Sequence, residues 1–290
     1  MLSINDCTFG VVGLGLMGGA IAKALRYNCG VAQEKMFACN RSKETLETAR
    51  LAGLIGSGYD TTNAGEMLAL CDVVFICLNP SAIIGFLEQW AGTFKSGSLI
   101  TDIAGTKKRI AAIAENFRDD VDFIPGHPMA GAEKSGFANS GLCDFHGKNY
   151  ILTPISRNKS ENLDFLKDII SRMGFTRITQ VTPEEHDRKI AFTSQLCHVI
   201  AAALIDCETD TKITRFGGGS FEDLTRIAML NAPMWTELFI ENNDVLLERI
   251  NQFEKSLDLL KTLIKDEQAD ELMKRLTVVR ERRIEMSKKD

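Results

Sequence analysis

Three glycines near the N-terminus constrain the fold more than anything else in the chain. A short apolar run, Cys7 to Val12, leads into Gly13, Gly15 and Gly18, spaced as G-x-G-x-x-G with Leu16 and Met17 between the last two; a helical pattern follows from Ala20 to Arg26. The spacing means something only between a strand and a helix, and that is its setting here. The first glycine permits a tight turn, the second lets backbone approach a pyrophosphate, and the third lets the helix pack closely on the strand. The helix then points free N–H groups and a positive dipole end at the phosphates. A glycine turn without a ligand is the alternative, and the strand–turn–helix setting argues against it.

A second strand, Lys35 to Cys39, ends in Asn40, Arg41, Ser42 and Lys43. An acid at this strand end would take ribose hydroxyls; a guanidinium and a hydroxyl would instead hold a 2′-phosphate. The expected cofactor is therefore NADP, with NAD as the alternative if Arg41 and Lys43 are only solvated residues opening the next helix. Ser42 to Ala52 reads as that helix, and 53–65 as irregular with one short strand. The unbroken apolar run from Asp72 to Leu78 reads as a buried parallel strand. Asn79 and Pro80 end it and lead to a helix over 82–90. A strand over 97–102 turns through Thr106 into a helix reaching Phe117; 121–124 is another strand, and 149–153 and 176–179 flank a helix over 161–173. Strands alternating with helices predict an α/β, Rossmann-type, doubly wound parallel sheet. Ligands of such sheets lie at the carboxyl ends of the strands, where Asn79, Thr106 and the segment around His127 fall.

The pattern changes near residue 180. Thr182, Pro183 and Glu185 form a helix start, with Thr as cap, Pro at the first position and Glu three residues after the cap. No breaker follows until Cys207, which predicts a largely buried helix of about 24 residues and about 36 Å. Glycines 217–219, a helix from Phe221 to Met229 and helical pattern from Met234 to Lys288 complete the chain. The expected domains are a dinucleotide-binding domain over 1–180 and an all-α domain over 181–290.

Composition narrows the function class. A net charge of −5 with no Lys/Arg block argues against a nucleic-acid partner. The eight cysteines form no CxxC pair and several sit in apolar runs, so they read as reduced core residues and not as a disulfide framework or metal site. No apolar run reaches the roughly 18 residues a membrane span needs, which predicts a cytoplasmic protein without a membrane anchor.

Candidate chemistry gathers at three places. Pro125, Gly126 and Pro128 around His127 exclude a helix and predict a tight loop. A histidine there either caps and packs, or takes a proton from a substrate hydroxyl near neutral pH. Ser194 and His198 are four apart on one helix face, with Gln195 beside them. Ser194 is a satisfied core hydroxyl or a functional one. Arg226, near Asp223, is a surface charge or a clamp for a carboxylate.

These residues together resemble the prephenate and arogenate dehydrogenases of tyrosine biosynthesis over nearly the whole chain. The resemblance is carried by Gly126 to Gly131 with Glu133, Ser135 and Gly136 behind, by His186 and Asp187 before the helix bearing Ser194 and His198, and by Asp223 to Ala228 with Trp235 nine positions after Arg226. It implies oxidative decarboxylation of prephenate to 4-hydroxyphenylpyruvate, or of arogenate to tyrosine, in a dimer made by the helical domain. It implies that His127 accepts the C4 hydroxyl proton, that Arg226 binds a substrate carboxylate, and that His198 orients substrate. Glu133 and Asp223 become supporting or gating groups, and Trp235 packs near the pocket or the dimer contact. Two departures stand out. Gly105 replaces the serine that relatives place against substrate and catalytic histidine, so either Thr106 takes that role or the hydrogen bond is absent. Gln195 replaces the first histidine of a Ser-His-Leu-Pro-His motif. Gln195 and His198, neutral or positive, favour the ketone of prephenate over the ammonium of arogenate. Two other readings remain: a β-hydroxyacid dehydrogenase using Lys189, and a redox sensor that binds NADP(H) without turnover.

Overall fold

The computed structural model describes residues 3–132 and 134–288. They divide into two compact units, Met1–Asn242 and Asn243–Asp290.

The first unit is built on a six-stranded parallel sheet. Its strands are β1 (Phe9–Val12), β2 (Met36–Cys39), β3 (Ser57–Tyr59), β4 (Val73–Ile76), β5 (Leu99–Asp102) and β6 (Asp122–Phe123), ordered β3-β2-β1-β4-β5-β6. The order reverses between β1 and β4, which leaves the crevice where such sheets bind ligands. Alternation along the central strands sends Phe9, Val11, Val73 and Phe75 into one core, and Val12, Val74 and Ile76 into the other. Strands buried on both faces need apolar residues at every position, which is why these runs are unbroken. Helices α1 (Leu16–Tyr27) and α6 (Ser160–Met173) bring Ile21, Leu25, Ile169 and Ile170 to the first core. Helices α3 (Ala64–Leu68), α4 (Pro80–Trp90) and α5 (Lys108–Glu115) bring Met67, Ile83, Leu87 and Ile110 to the second. Between β2 and β3 runs α2 (Lys43–Leu51), capped by Ser42.

The segment carrying His127 is not a loop. Gly126–Pro128 is strand β7, paired antiparallel with β8 (Asn149–Leu152), which pairs in parallel with β9 (Arg177–Gln180). His127 sits opposite Ile151. Gly126 is required by close approach: a Cβ there would lie 2.7 Å from the ring of Tyr150, the largest fully buried side chain. The two late strands expected of the parallel sheet thus belong to a second sheet that holds the histidine.

The helix start at 182 forms as its residues dictate. Thr182 accepts the Glu185 N–H at 3.1 Å and Pro183 opens α7 (Pro183–Ile190). The expected single helix is interrupted: Ala191–Gln195 is a π-helical segment before α8 (Leu196–Asp206). A π segment shifts the faces that precede and follow it, and here Gln195 turns inward while Phe192 remains exposed. Nor is α8 largely buried, for only Leu196 and Ala201 are enclosed and Leu204 and Ile205 are exposed. Pro183–Asp206 is, by length and a mean hydropathy of 1.2, the one helix among the described residues long and apolar enough to cross a membrane, and 28% of that window is buried. All eight cysteines are free thiols, yet Cys197 and Cys207 are exposed and not core residues. After α9 (Gly219–Thr225) and a single turn at Arg226–Ala228, α10 (Ala232–Glu241) closes the unit.

The second unit is a pair of helices, α11 (Asn243–Lys265) and α12 (Ala269–Glu285), that leave Leu257, Ile264, Met273 and Leu276 exposed.

Candidate active site

The glycine turn has the geometry its spacing requires. Gly13 has φ +87° and donates its N–H to Cys39 O at 2.8 Å. A Cβ on Gly18 would lie 1.9 Å from Gly13 O, so helix and turn touch through backbone. A Cβ on Gly15, which caps α1, would meet nothing within 4 Å. The turn is therefore closed below and open above, a cradle with room for a pyrophosphate against the amides of Leu16 and Met17, both partly exposed. Asn40 is engaged elsewhere: its Oδ1 accepts the Leu14 N–H at 3.1 Å, tying the end of β2 to the turn. Arg41 is exposed, and Ser42 Oγ accepts the Thr45 N–H at 3.1 Å while its own hydroxyl proton remains to donate. Asn79 caps α4 with Pro80 at the first turn, and the Glu237 carboxylate of α10 accepts the N–H of Ser81.

A polar cluster is assembled two strands away, beyond the carboxyl end of β5. Asp102 ends that strand and accepts the N–H of Ala104 at 2.8 Å and of Gly126 at 3.1 Å. It also pairs with Lys107 Nζ, and both side chains are fully buried. The Asp187 carboxylate on α7 accepts the backbone N–H of Lys107 at 2.8 Å and of Lys108 at 2.9 Å. Its Oδ1 lies 2.7 Å from His186 Nδ1, and His186 Nε2 lies 2.9 Å from His127 Nδ1. The result is a chain of three side chains, Asp187–His186–His127, ending in a half-buried imidazole.

Charge and burial set the protonation of this chain. Burial drives the His127 pKa well below its usual value, and His186 and Lys107 push the same way. Burial also lowers His186, against the pull of Asp187. Lys107 is lowered by burial too, opposed by Asp102, Asp187 and Glu241. Neutral imidazoles are thus the resting state, and a neutral imidazole can accept a proton.

The other expected residues fall into distinct positions. His198 donates Nδ1–H to Ser194 O at 2.9 Å, one turn earlier, and stacks on Trp235 with ring centroids 3.6 Å apart. Burial lowers its pKa as well. Ser194 is half-buried, and Arg226 and Asp223 are exposed on the segment packed against α8. Gln195 is not open to a ligand: its Nε2 donates to Leu238 O at 2.9 Å and its Oε1 accepts from Asn242 at 2.7 Å. Thr106, the candidate to stand in for the missing serine, gives its hydroxyl proton to Glu241 Oε2 at 2.6 Å. The side of Gly105 is occupied by Leu238, 3.1 Å from a built Cβ. Lys189 is exposed. Glu133 lies outside the described residues.

His186, Asp187, Lys107 and Asp102 were not singled out as site residues from the sequence. A signal existed on α7, where His186 and Asp187 precede Ile190 and Ala191 by four positions and so share the inward face of an otherwise charged helix. No comparable signal marks Lys107, since a lysine at a helix start reads as solvated.

Two family models match consecutive parts of the chain. The family model described as prephenate dehydrogenase, nucleotide-binding domain, matches residues 21–179, and that described as prephenate dehydrogenase, dimerization domain, matches 182–278. A prephenate dehydrogenase of Lactococcus lactis subsp. cremoris is 32% identical over 273 residues, covering 90% of this chain and 73% of that protein. The crystal structure of prephenate dehydrogenase from A. aeolicus, in complex with hydroxyphenyl propionate and NAD+, superposes with a TM-score of 0.85 at 29% identity, covering 97% of this chain and 98% of that one. The arogenate dehydrogenase of Synechocystis superposes at 0.79 with 28% identity, covering 96% and 99%.

Proposed function

The chain belongs to the prephenate dehydrogenase family, and from that premise we propose that it oxidatively decarboxylates prephenate to 4-hydroxyphenylpyruvate with a nicotinamide cofactor. The observation that carries this reading is the half-buried, neutral His127 whose Nδ1 is engaged by His186, leaving Nε2 for a substrate hydroxyl. A bound nicotinamide would supply the acceptor for the hydride that leaves C4. His127 accepts the C4 hydroxyl proton as carbon dioxide leaves and the ring becomes aromatic. The amides of Leu16 and Met17 at the glycine turn would hold the pyrophosphate of such a cofactor.

On the helical side, His198 fixed by Ser194 O and Trp235 offers an oriented ring to substrate, and Arg226 supplies the guanidinium for a carboxylate. The helix carries Gln195 and His198, neutral or positive, which supports the ketone of prephenate over the ammonium of arogenate. Arg41 and Ser42 at the end of β2 support NADP over NAD. Residues 181–290 serve as the substrate and dimerisation part, in a homodimer that covers the exposed Phe192, Leu204 and Ile205. The unpaired cysteines suit the cytoplasm.

Purified protein assayed with prephenate and arogenate, each against NADP+ and NAD+, tests all of this at once. Reduced nicotinamide forms fastest with prephenate and NADP+; absence of turnover with either substrate overturns the assignment.

A further inference from the structure

We propose that His186, anchored by Asp187, is the positioning residue that fixes the ring tautomer of His127, holding the proton on Nδ1 and keeping Nε2 as the basic nitrogen. The inference rests on the reading of His127 as the base and adds the group that makes it one. The logic runs outward from Asp187. Its Oδ1 and Oδ2 already accept two backbone N–H groups, at 2.8 and 2.9 Å, so it meets His186 as an acceptor. His186 Nδ1, 2.7 Å away, must then carry a proton. In a neutral imidazole the other nitrogen is an acceptor, so His186 Nε2 takes the Nδ1–H of His127 across 2.9 Å. His127 is left with its lone pair on Nε2. Every donor in the chain meets one acceptor, and only this tautomer satisfies all three side chains. It also explains how the protein manages with Gly105: Thr106 is turned to Glu241 and Leu238 covers Gly105, so His186 is the polar side chain that orients the base.

The arrangement has a signature that mere packing does not. The chain holds four histidines, so their ring nitrogens are separable by 15N NMR of histidine-labelled protein, with His127→Asn assigning one set. Wild-type His127 is expected to show a protonated Nδ1 and an unprotonated Nε2. In His186→Leu the proton moves to Nε2 in a substantial fraction of molecules. There kcat falls on the order of 10²-fold or more while the KM for substrate changes little. His186→Gln, which keeps an acceptor near the Nε2 position, recovers most of the loss. A wild-type His127 protonated on Nε2 overturns the proposal without any variant having to fold. So does His186→Leu with unchanged kcat, or His186→Gln no better than His186→Leu. Failure of the base assignment looks different: His127→Asn would keep its turnover while the tautomer in the wild type stayed as described.

Discussion

The glycine turn after β1 and the histidine chain beyond β5 lie at carboxyl ends of the same sheet and are held by opposite means. At the turn, six consecutive positions set the geometry mainly through backbone, with Gly18 against Gly13 O and open space over Gly15, and the Asn40 side chain ties the end of β2 to it. At the histidine chain, four segments contribute one or two side chains each, and the bonds from His127 to His186, from Lys107 to Asp187 and from Gly126 to Asp102 join residues far apart in sequence. On its closed face such a backbone site leaves no room for an added atom, as at Gly18, and it draws on few side chains around it. A side-chain site of this kind depends on each neighbour being satisfied, because an unpaired buried polar group costs about 1–3 kcal/mol.

Substitutions can break that contrast. The largest effect is expected of His127→Asn, with kcat lowered by about 10²–10⁴-fold and dinucleotide affinity unchanged by titration; retained turnover would remove the chemical end of the comparison. Within the turn, Gly18→Ala forces a Cβ onto Gly13 O and should destabilise the fold by about 1–3 kcal/mol, read from the urea midpoint. Gly15→Ala should fold as the wild type and lose dinucleotide affinity, since its Cβ enters the open side of the cradle. If the two glycine variants behaved alike, the division into a closed and an open face would be wrong. Arg226→Ala should raise KM for prephenate roughly 10–100-fold with kcat little changed, the pattern of a lost carboxylate contact. Arg41→Ala should weaken NADP+ by about tenfold and leave NAD+ nearly unaffected.

Acid distinguishes the two sites through stability. His127 and His186 are lowered in the fold, so below the ordinary histidine pKa of about 6.5 the unfolded chain binds more protons than the native one. Their contribution is fully present above that value and is lost as pH falls toward the folded values. Denaturant midpoints measured from pH 7.5 to 5 should decline for the wild type and decline less for His127→Asn; parallel declines would detach this effect from the histidine chain.

Much of this was legible in the residues. Gly13, Gly15 and Gly18, the Thr182 cap and the unbroken strand β4 all formed where their patterns indicated, because each is decided by neighbours within a few positions. His127 was legible as a candidate base but not as a strand residue. Its neighbours Pro125, Gly126 and Pro128 suit a loop, and only β8, over 20 positions on, supplies the pairing. The π segment was invisible, since nothing in Ala191–Gln195 breaks a helix, and it turns Gln195 toward Leu238 and Asn242 and away from any ligand. For Thr106 the sequence left two outcomes, a substitute for the serine or no such hydrogen bond, and only the structure shows that its hydroxyl proton goes to Glu241, 135 residues away.

By itself, then, the sequence determined the glycine turn and the alternating sheet, because local backbone preference and hydrophobic period settle those, while His127 stood out as the proposed base through the family resemblance of the residues around it. The tertiary structure alone decided which nitrogen of that imidazole stays basic. That choice depends on a hydrogen bond between residues 59 positions apart and on a carboxylate already filled by two amides of another helix. No local pattern encodes a contact of that kind, since it exists only once α7 has packed against the start of α5.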